Sequence, residues 1–222
     1  MSNIEFLGVI PARGGSKRVP GKNIKKLYGK PLIYWSILAA KKSKYLDDFV
    51  VSTEDIEIAR IAKHYGANVL ERPVELARDD ISVFPVLKHA LEHIEAKNVV
   101  LLQPTSPIRV NGIIDKCIRT FKHLEPDSLA TGYICKCYEW TKMPNMPSQE
   151  MKGWFYNDGC VEIHSADVIL SNRHWGDKRI RFIVPEIYNH EIDTWLDFIK
   201  VEAVMRYLDK EGLLKWDEDG DI

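Results

Sequence analysis

The sequence has few cysteines and no long apolar run, and both shortages narrow the kind of protein it encodes. Its four cysteines lack the two-residue spacing of zinc sites and thioredoxin-like motifs, because Cys135 and Cys137 are separated by one residue. We therefore predict reduced, structural thiols. No run of residues has the length and apolarity of a membrane span, and no targeting segment is recognisable, so we expect a cytoplasmic protein.

An excess of positive charge is also missing. Lysine and arginine number 31 against 32 aspartates and glutamates, for a net charge of −1. Proteins that bind nucleic acid usually carry a visible basic excess, so we do not expect a nucleic-acid partner. With 222 residues, 45% of them hydrophobic and 28% charged, the chain is typical of one soluble globular domain with a modest insertion.

Two common ligand signatures are absent as well. There is neither a Walker P-loop nor the Gly-x-Gly-x-x-Gly pattern of dinucleotide-binding enzymes, which disfavours a dinucleotide oxidoreductase. His89 and His93 stand four apart on a predicted helix, but no zinc-protease pattern accompanies them. We expect these histidines to lie at the surface or along a groove.

What the chain does have is a glycine-rich, basic loop directly after a buried strand. Residues 6–10 are apolar on both faces, as in an interior parallel strand. Gly14 and Gly15 permit positive φ and let backbone N–H groups turn toward an anion. The loop adds four cationic side chains, those of Arg13, Lys17, Arg18 and Lys22. These charges would repel one another without an anionic guest, so the loop predicts a polyphosphate site, with a solvated basic loop as the alternative.

Strands alternate with helices over the first two thirds of the chain. We predict further strands at 49–53, 67–70 and 99–102, and helices at 32–44, 54–66, 82–96 and 112–123. Pro31 is expected at the first helical position, Thr53 as a helix cap and Gly66 as a helix end. This order indicates an α/β fold with a mostly parallel, Rossmann-like sheet flanked by helices, which binds ligands beyond the carboxyl ends of its strands.

The loop from Pro11 to Arg18, followed by residues 20–23, resembles the signature of the CMP-sialic-acid synthetase (acylneuraminate cytidylyltransferase) family. The resemblance implies a nucleotidyltransferase fold and transfer of CMP from CTP to the anomeric hydroxyl of a ketosugar acid, with release of pyrophosphate. It implies that Arg13 and Lys22 are catalytic, stabilising charge on the phosphates. The implied nucleotide-binding residues of the loop are Ala12, Arg13, Gly14, Gly15, Ser16, Lys17, Lys22 and Asn23.

Two more segments match the family. Arg72 and Ser82 fall where the family lines its nucleobase and ribose pocket, although a charged loop with Asp79 or Asp80 as a helix cap is an alternative. The stiff motif 103–109 follows a predicted strand, and the resemblance implies that Gln103, Thr105 and Ser106 contact the acceptor sugar. A proline-rich turn with a Ser or Thr cap is the alternative here.

A triphosphate needs a divalent cation, and the resemblance implies Mg²⁺, with Mn²⁺ as a substitute, held by Asp193 and Glu191. Residues two apart on an extended strand point to the same side, which lets both carboxylates share one cation. The family has an Asp-x-Asp pair here, and this chain has Glu in the first position. A cluster of acids at a helix start is the alternative.

Residues 130–185 are predicted to be a loop-rich, aromatic excursion within a single cytidylyltransferase domain, 1–222. The resemblance implies that this excursion forms a homodimer interface and reaches the sugar pocket, where Tyr156 and Asn157 would bind the sugar. A hairpin turn at 157–159 is an alternative. Candidates for pairing with the partner's sugar carboxylate are Lys136, Lys142 and Lys152, and the tail 217–221 is expected to be solvated.

Two rival functions remain open at this point. One is a nucleotidyltransferase that uses another base or a sugar 1-phosphate, and the other is a non-catalytic nucleotide-binding module. The sequence does not identify the ketosugar acid, and no general base stands out.

Overall fold

The computed structural model describes residues 4–137 and 147–215. The strands of this part of the chain are β1 (Ile4–Pro11), β2 (Lys26–Leu27), β3 (Lys30–Pro31), β4 (Asp48–Thr53), β5 (Asn68–Glu71), β6 (Ala96–Leu101), β7 (Ser128–Cys135), β8 (Trp154–Ser165) and β9 (Arg179–Ile183). The α-helices are α1 (Leu32–Lys42), α2 (Ile56–His64), α3 (Phe84–His93), α4 (Ile113–Leu124), α5 (Ala166–Leu170) and α6 (Trp195–Lys210).

Seven of the strands form one sheet in the order β5-β4-β1-β6-β8-β7-β9. Strands β5, β4, β1 and β6 run parallel, β8 is antiparallel to both of its neighbours, and β9 is parallel to β7. Strands β2 and β3 pair separately as a short antiparallel hairpin. The predicted mostly parallel α/β sheet is confirmed, and β8 is its one reversed strand among the described residues.

Strand β1 is an interior strand of the sheet, and both of its faces are apolar. Phe6 and Ile10 belong to the core under α1, α2 and α4, where the ring of Phe6 meets that of Phe121 edge to face at 6.0 Å. Leu7 and Val9 pack on the other face, in the core beside α3 and α5. This double burial fixes the end of β1, and therefore the start of the basic loop, in the interior of the sheet, between β4 and β6.

Most predicted element boundaries are close, and the differences have local causes. Helix α3 spans only Phe84–His93, because Ile94 is extended and residue 96 already belongs to β6. Pro31 lies at the N-cap of α1 and not at its first helical position. The cap of α2 is Asp55, whose Oδ1 accepts from two backbone N–H groups at 2.9 Å, whereas Thr53 remains in β4 and accepts from the N–H of Asp55. Gly66 follows the end of α2 with φ 81°, as predicted.

The described part of 130–185 is more regular than predicted, because it contains β8, most of β7, helix α5 and β9. The alternative of a hairpin turn at 157–159 is wrong, since these residues lie inside β8, where the register with β7 shifts. The buried carboxylate of Asp158 stabilises this bulge by accepting from Thr131 Oγ1 at 2.6 Å and from the N–H of Cys160 at 2.9 Å. Trp140, Lys142 and Pro144 lie outside the described residues, as do 217–221.

The cysteines are unpaired, as predicted, and Cys117, Cys135 and Cys160 are buried. His89 is buried in α3, contrary to the expected surface or groove position, and its carbonyl oxygen lies 2.8 Å from Nδ1 of His93. No cluster of three or more metal-binding side chains occurs within 4–137 and 147–215. In the same ranges, every helix is too short or too polar to cross a bilayer.

Candidate active site

A cavity of about 540 Å³ opens at the carboxyl ends of the parallel strands. Loops that follow β1, β5 and β6, together with the segment before α6, form its walls. The sequence-predicted residues that line it are Arg13, Ser16, Lys17, Lys22, Asn23, Arg72, Ser82, Gln103, Thr105, Glu191 and Asp193. Ala12, Gly14, Gly15, Ser106, Tyr156 and Asn157 are not among its lining residues.

The cationic side chains of the basic loop converge on carboxylates across the cavity. Arg13 Nη1 lies 2.6 Å from Asp79 Oδ1, and Lys17 Nζ lies 2.5 Å from Asp79 Oδ2. Hydrogen bonding to Lys17, aided by the charge of Arg13, lowers the pKa of the Asp79 carboxyl. Two cations that share one carboxylate are placed to share a phosphate oxyanion in the same way.

The glycines of the loop act differently from the prediction. Neither Gly14 nor Gly15 has positive φ, whereas Gly21 does, at 64°. Gly14 is needed for close packing, since a Cβ there would lie 2.3 Å from Asp55 Oδ2. A Cβ on Gly15 would meet nothing within 4 Å.

Several polar groups of the loop are used to hold it in place. The N–H of Gly14 donates to Glu54 Oε1 at 2.7 Å, and Asn23 Nδ2 donates to the carbonyl of Arg13 at 2.9 Å. Ala12 is fully buried and its N–H continues the sheet by donating to the carbonyl of Ser52. The loop is thus a braced structure from which Arg13, Ser16, Lys17 and Lys22 project into the cavity.

Arg72, the candidate for base recognition, is buried and paired with Glu54. Its Nε and Nη2 donate to Glu54 Oε2 at 3.0 and 2.9 Å. Ser82, the second predicted residue of this pocket, is exposed on the cavity wall. Sequence reasoning placed Glu54 in the polar segment after a predicted strand, at the first turn of the helix 54–66, and gave it no partner or role at this site.

Gln103 and Thr105 line the same cavity from the loop that follows β6. Thr105 Oγ1 is buried and has no hydrogen-bond partner in the described part of the chain. Ser106 is buried and braces the loop by donating from Oγ to the carbonyl of Asp158 at 2.6 Å. Its side chain therefore supports the wall.

Asn157 and Tyr156 lie on β8 beside this wall. Asn157 Nδ2 donates to Glu162 Oε1 at 3.1 Å, and its Oδ1 accepts from the N–H of Gly159 at 3.0 Å. Tyr156 is 42% exposed. Both polar atoms of Asn157 therefore have partners within the protein.

Arg109 is a further residue of the site that sequence reasoning named only as the end of a motif. Its buried guanidinium donates to the carbonyls of Cys160 at 2.6 Å and Gln103 at 2.7 Å, and to Ser36 Oγ at 3.0 Å. These bonds join the loop after β6 to β8 and to α1. Arg109 thereby fixes the position of Gln103.

Glu191 and Asp193 flank the fully buried Ile192 on an irregular segment, not on the predicted strand. The N–H of Ile192 donates to the carbonyl of Thr105 at 2.8 Å, and its carbonyl accepts from Lys22 Nζ at 2.7 Å. Burial, followed by the charge of Asp193, raises the pKa of Glu191 to about 7. The capping box of α6 uses Thr194 and Asp197, so neither Glu191 nor Asp193 is its capping acid.

Comparisons with known proteins agree with this geometry. The sequence profile of the cytidylyltransferase family matches residues 7–144. The chain is 39% identical over 219 residues to an N-acylneuraminate cytidylyltransferase of Escherichia coli O18:K1:H7, covering 87% of this chain and 50% of that protein. It is 30% identical over 233 residues to a CMP-N,N'-diacetyllegionaminic acid synthase of Legionella pneumophila, covering 95% of this chain and 100% of that protein. The chain thus spans half the length of the first relative and the full length of the second.

The fold is also that of a solved nucleotidyltransferase. A CMP:2-keto-3-deoxy-manno-octonic acid synthetase complexed with CTP superposes with a TM-score of 0.73 at 15% identity, over 91% of this chain and 99% of that one. Profile, full-length relative and fold agree, and the chain belongs to the cytidylyltransferase family, within the group that includes the sialic- and legionaminic-acid CMP synthetases.

Proposed function

We propose that this chain transfers CMP from CTP to the anomeric hydroxyl of a sialic-acid-like, nine-carbon ketosugar acid and releases pyrophosphate. One observation carries the proposal. A single cavity is lined by the cationic loop that follows β1, by Gln103 and Thr105, and by the two carboxylates of the segment before α6. The names of the relatives support a ketosugar acid as the acceptor.

The bond changes are those of an in-line displacement at phosphorus. The anomeric hydroxyl of the acid loses its proton to water and its oxygen forms a bond to the α-phosphorus of CTP. The bond from that phosphorus to the bridging oxygen breaks, and pyrophosphate leaves with the electron pair of that bond. Catalysis is then mainly positioning and charge neutralisation. Arg13 and Lys22 supply fixed positive charge to the phosphates, while Ser16 and Lys17 add donors along the same wall.

The base and the sugar occupy opposite ends of the cavity in this proposal. Arg72 and Ser82 contact the cytosine or ribose, because Arg and hydroxyl donors match the acceptors of that base. Gln103 and Thr105, which both line the cavity, contact the acceptor. Tyr156 and Asn157 lie beside this end on β8 and complete the acceptor contacts.

The carboxylates of Glu191 and Asp193 fit a divalent cation. Both line the cavity, and the negative charge of Asp193 contributes to the raised pKa of Glu191. A cation shared by the two carboxylates would offset the repulsion between them. Carboxylate oxygens are the ligands that Mg²⁺ prefers, with phosphate oxygens and water completing its shell. When bound, Mg²⁺ or Mn²⁺ would polarise the phosphate and lower the pKa of the attacking hydroxyl.

We further propose that the enzyme is a cytoplasmic homodimer. Exposed apolar side chains on β7, β8 and β9 support an interface there, namely those of Ile134, Trp154, Tyr156 and Ile183. In a dimer, lysines such as Lys136 and Lys152 are candidates for the carboxylate of the partner's sugar.

The test is a screen of product formation. The purified chain is incubated with Mg²⁺, each of the four nucleoside triphosphates in turn, and sialic, legionaminic, pseudaminic and shorter ketosugar acids, with detection by mass spectrometry and pyrophosphate release. We expect a CMP conjugate of one or more nine-carbon acids with CTP only. A product with another triphosphate or with a sugar 1-phosphate favours the rival nucleotidyltransferase, and CTP binding without any product favours the binding module.

A further inference from the structure

Glu54 is a half-buried residue whose carboxylate joins two loops of the nucleotide site. Its Oε1 accepts from the N–H of Gly14 at 2.7 Å, and its Oε2 accepts from Nε and Nη2 of Arg72 at 3.0 and 2.9 Å. The side chain of Glu54 is 12% exposed and that of Arg72 is 3% exposed. We infer that Glu54 is a positioning residue for nucleotide recognition, which ties the phosphate-binding loop at Gly14 to Arg72 at the base end of the cavity.

This inference rests on the proposed function, because it assigns Arg72 and the loop to one nucleotide. Two of the guanidinium N–H groups of Arg72 point to a single oxygen of Glu54. That contact leaves the remaining N–H groups for another acceptor, and Arg72 lines the cavity despite its burial. Glu54 therefore determines which edge of the guanidinium a base can reach.

The contact between Glu54 and Gly14 is as closely constrained as the contact between Glu54 and Arg72. The loop packs directly on the turn that carries Glu54, since Gly14 lies too close to Asp55 for any Cβ. Where the loop and this turn meet, the N–H of Gly14 donates a short hydrogen bond to the Glu54 carboxylate. A shift of the Glu54 carboxylate thus moves the start of the loop, from which Arg13 and Lys17 reach into the cavity.

The isosteric change Glu54→Gln tests the arrangement, because an amide has one acceptor oxygen and the two partners approach opposite oxygens. If the amide oxygen serves Arg72, its NH₂ group faces the N–H of Gly14. If the oxygen serves Gly14, the NH₂ group faces the guanidinium. In either orientation one donor meets another donor, and one of the two contacts breaks.

Three readouts separate the contacts. Calorimetric affinity for CTP is expected to fall at least tenfold. Affinity for inorganic tripolyphosphate, which has no base, reports the loop, and the ratio of the calorimetric affinities for CTP and UTP reports Arg72. We expect the tripolyphosphate affinity, the CTP over UTP ratio, or both, to fall tenfold or more. A fall in the first identifies the contact with Gly14 as broken, and a fall in the second identifies the contact with Arg72.

Asp47→Asn is the matched control. Asp47 Oδ2 accepts from the backbone N–H groups of Glu5 and Phe6 at 2.8 and 2.9 Å, at the opposite end of β1. This variant makes the same chemical change away from the cavity, and we expect its melting temperature to fall while nucleotide affinity and selectivity stay within twofold of wild type.

The inference about Glu54 is overturned if Glu54→Gln behaves like Asp47→Asn in all three readouts. The proposed function fails separately, and this inference with it, if the wild-type chain binds neither CTP nor UTP. Should Glu54→Gln give no folded protein, Glu54→Asp carries the same test. Aspartate keeps the charge beside Arg72, but it is one methylene too short to span both donors, so CTP affinity is again expected to fall.

Discussion

Lys22 and Asp193 are 171 positions apart in the sequence, and Lys22 Nζ lies 3.3 Å from Asp193 Oδ1. The same ammonium group donates to the carbonyl of Ile192 at 2.7 Å, and the Lys22 side chain is 14% exposed. The lysine proposed to neutralise phosphate charge is therefore held by the segment proposed to bind the metal. A single change on either side of this contact should affect both.

Replacing the cationic groups tests their catalytic role. Arg13→Ala and Lys22→Ala should each lower kcat by roughly a hundredfold or more, because both are proposed to meet charge that grows in the transition state. Steady-state kinetics with saturating Mg²⁺ and CTP measures the effect, with the exposed Lys63→Ala on α2 as a control for the loss of one positive charge. Near-normal turnover in either variant would remove that residue from the mechanism.

The two adjacent glycines of the loop should respond differently to the same change. Gly14→Ala should cost about 1–3 kcal/mol in the free energy of unfolding, because the new methyl group collides with Asp55. Gly15→Ala should be close to neutral, since nothing lies within 4 Å of the added Cβ. Urea unfolding of both variants makes the comparison. Equal stabilities would show that the loop is not packed against the start of α2.

Removing the metal should abolish turnover, and Mg²⁺ or Mn²⁺ should restore it. Asp193→Asn should reduce activity more than Glu191→Gln, because the resemblance to the family's Asp-x-Asp pair predicts an aspartate ligand at 193 and this chain departs from the pair at Glu191. Activity titrated with Mg²⁺ after chelator treatment gives both answers. Normal Mg²⁺ dependence and turnover in Asp193→Asn would leave the two acids as a helix-start cluster only.

The homodimer proposal predicts twice the chain mass of 25.6 kDa by light scattering at micromolar concentration. Trp154→Glu, which places a charge on an aromatic side chain that is 51% exposed, should shift the protein toward monomer and lower activity at the same time. Ile56→Glu is the control, because it places the same charge on an exposed apolar side chain of α2. A fully active wild-type monomer would exclude any contribution of a partner to the site.

The sequence predicted those parts of the site that depend on local pattern. An apolar run followed by a basic, glycine-rich loop located β1 and the cavity wall, and a stiff motif located Gln103 and Thr105. It did not predict the partners of these groups. Asp79 and Glu54 meet the loop only because parallel strands bring distant strand ends to one edge of the sheet.

The mistaken local predictions have a common physical cause. Thr53 is of a residue type that often caps helices, but it is the last residue of β4, and Asp55 is the N-cap of α2. Asn157 and Gly159 are residue types that favour a turn. The buried Asp158, through its hydrogen bond with Thr131, nevertheless holds them inside β8. In both cases a hydrogen bond or a strand pairing decided between conformations that residue type alone leaves open.

The contacts of Ile192 also bear on how the protein is made. The basic loop is synthesised directly after β1. The segment that contacts Lys22 and Thr105 through Ile192 is synthesised only after all seven strands of the sheet. Until then the nascent loop carries its cationic side chains without Asp193. A chain still short of residue 193 thus has a phosphate loop without the carboxylate that pairs with Arg18 and Lys22, and nucleotide binding is expected to become fully effective only after that residue has been synthesised.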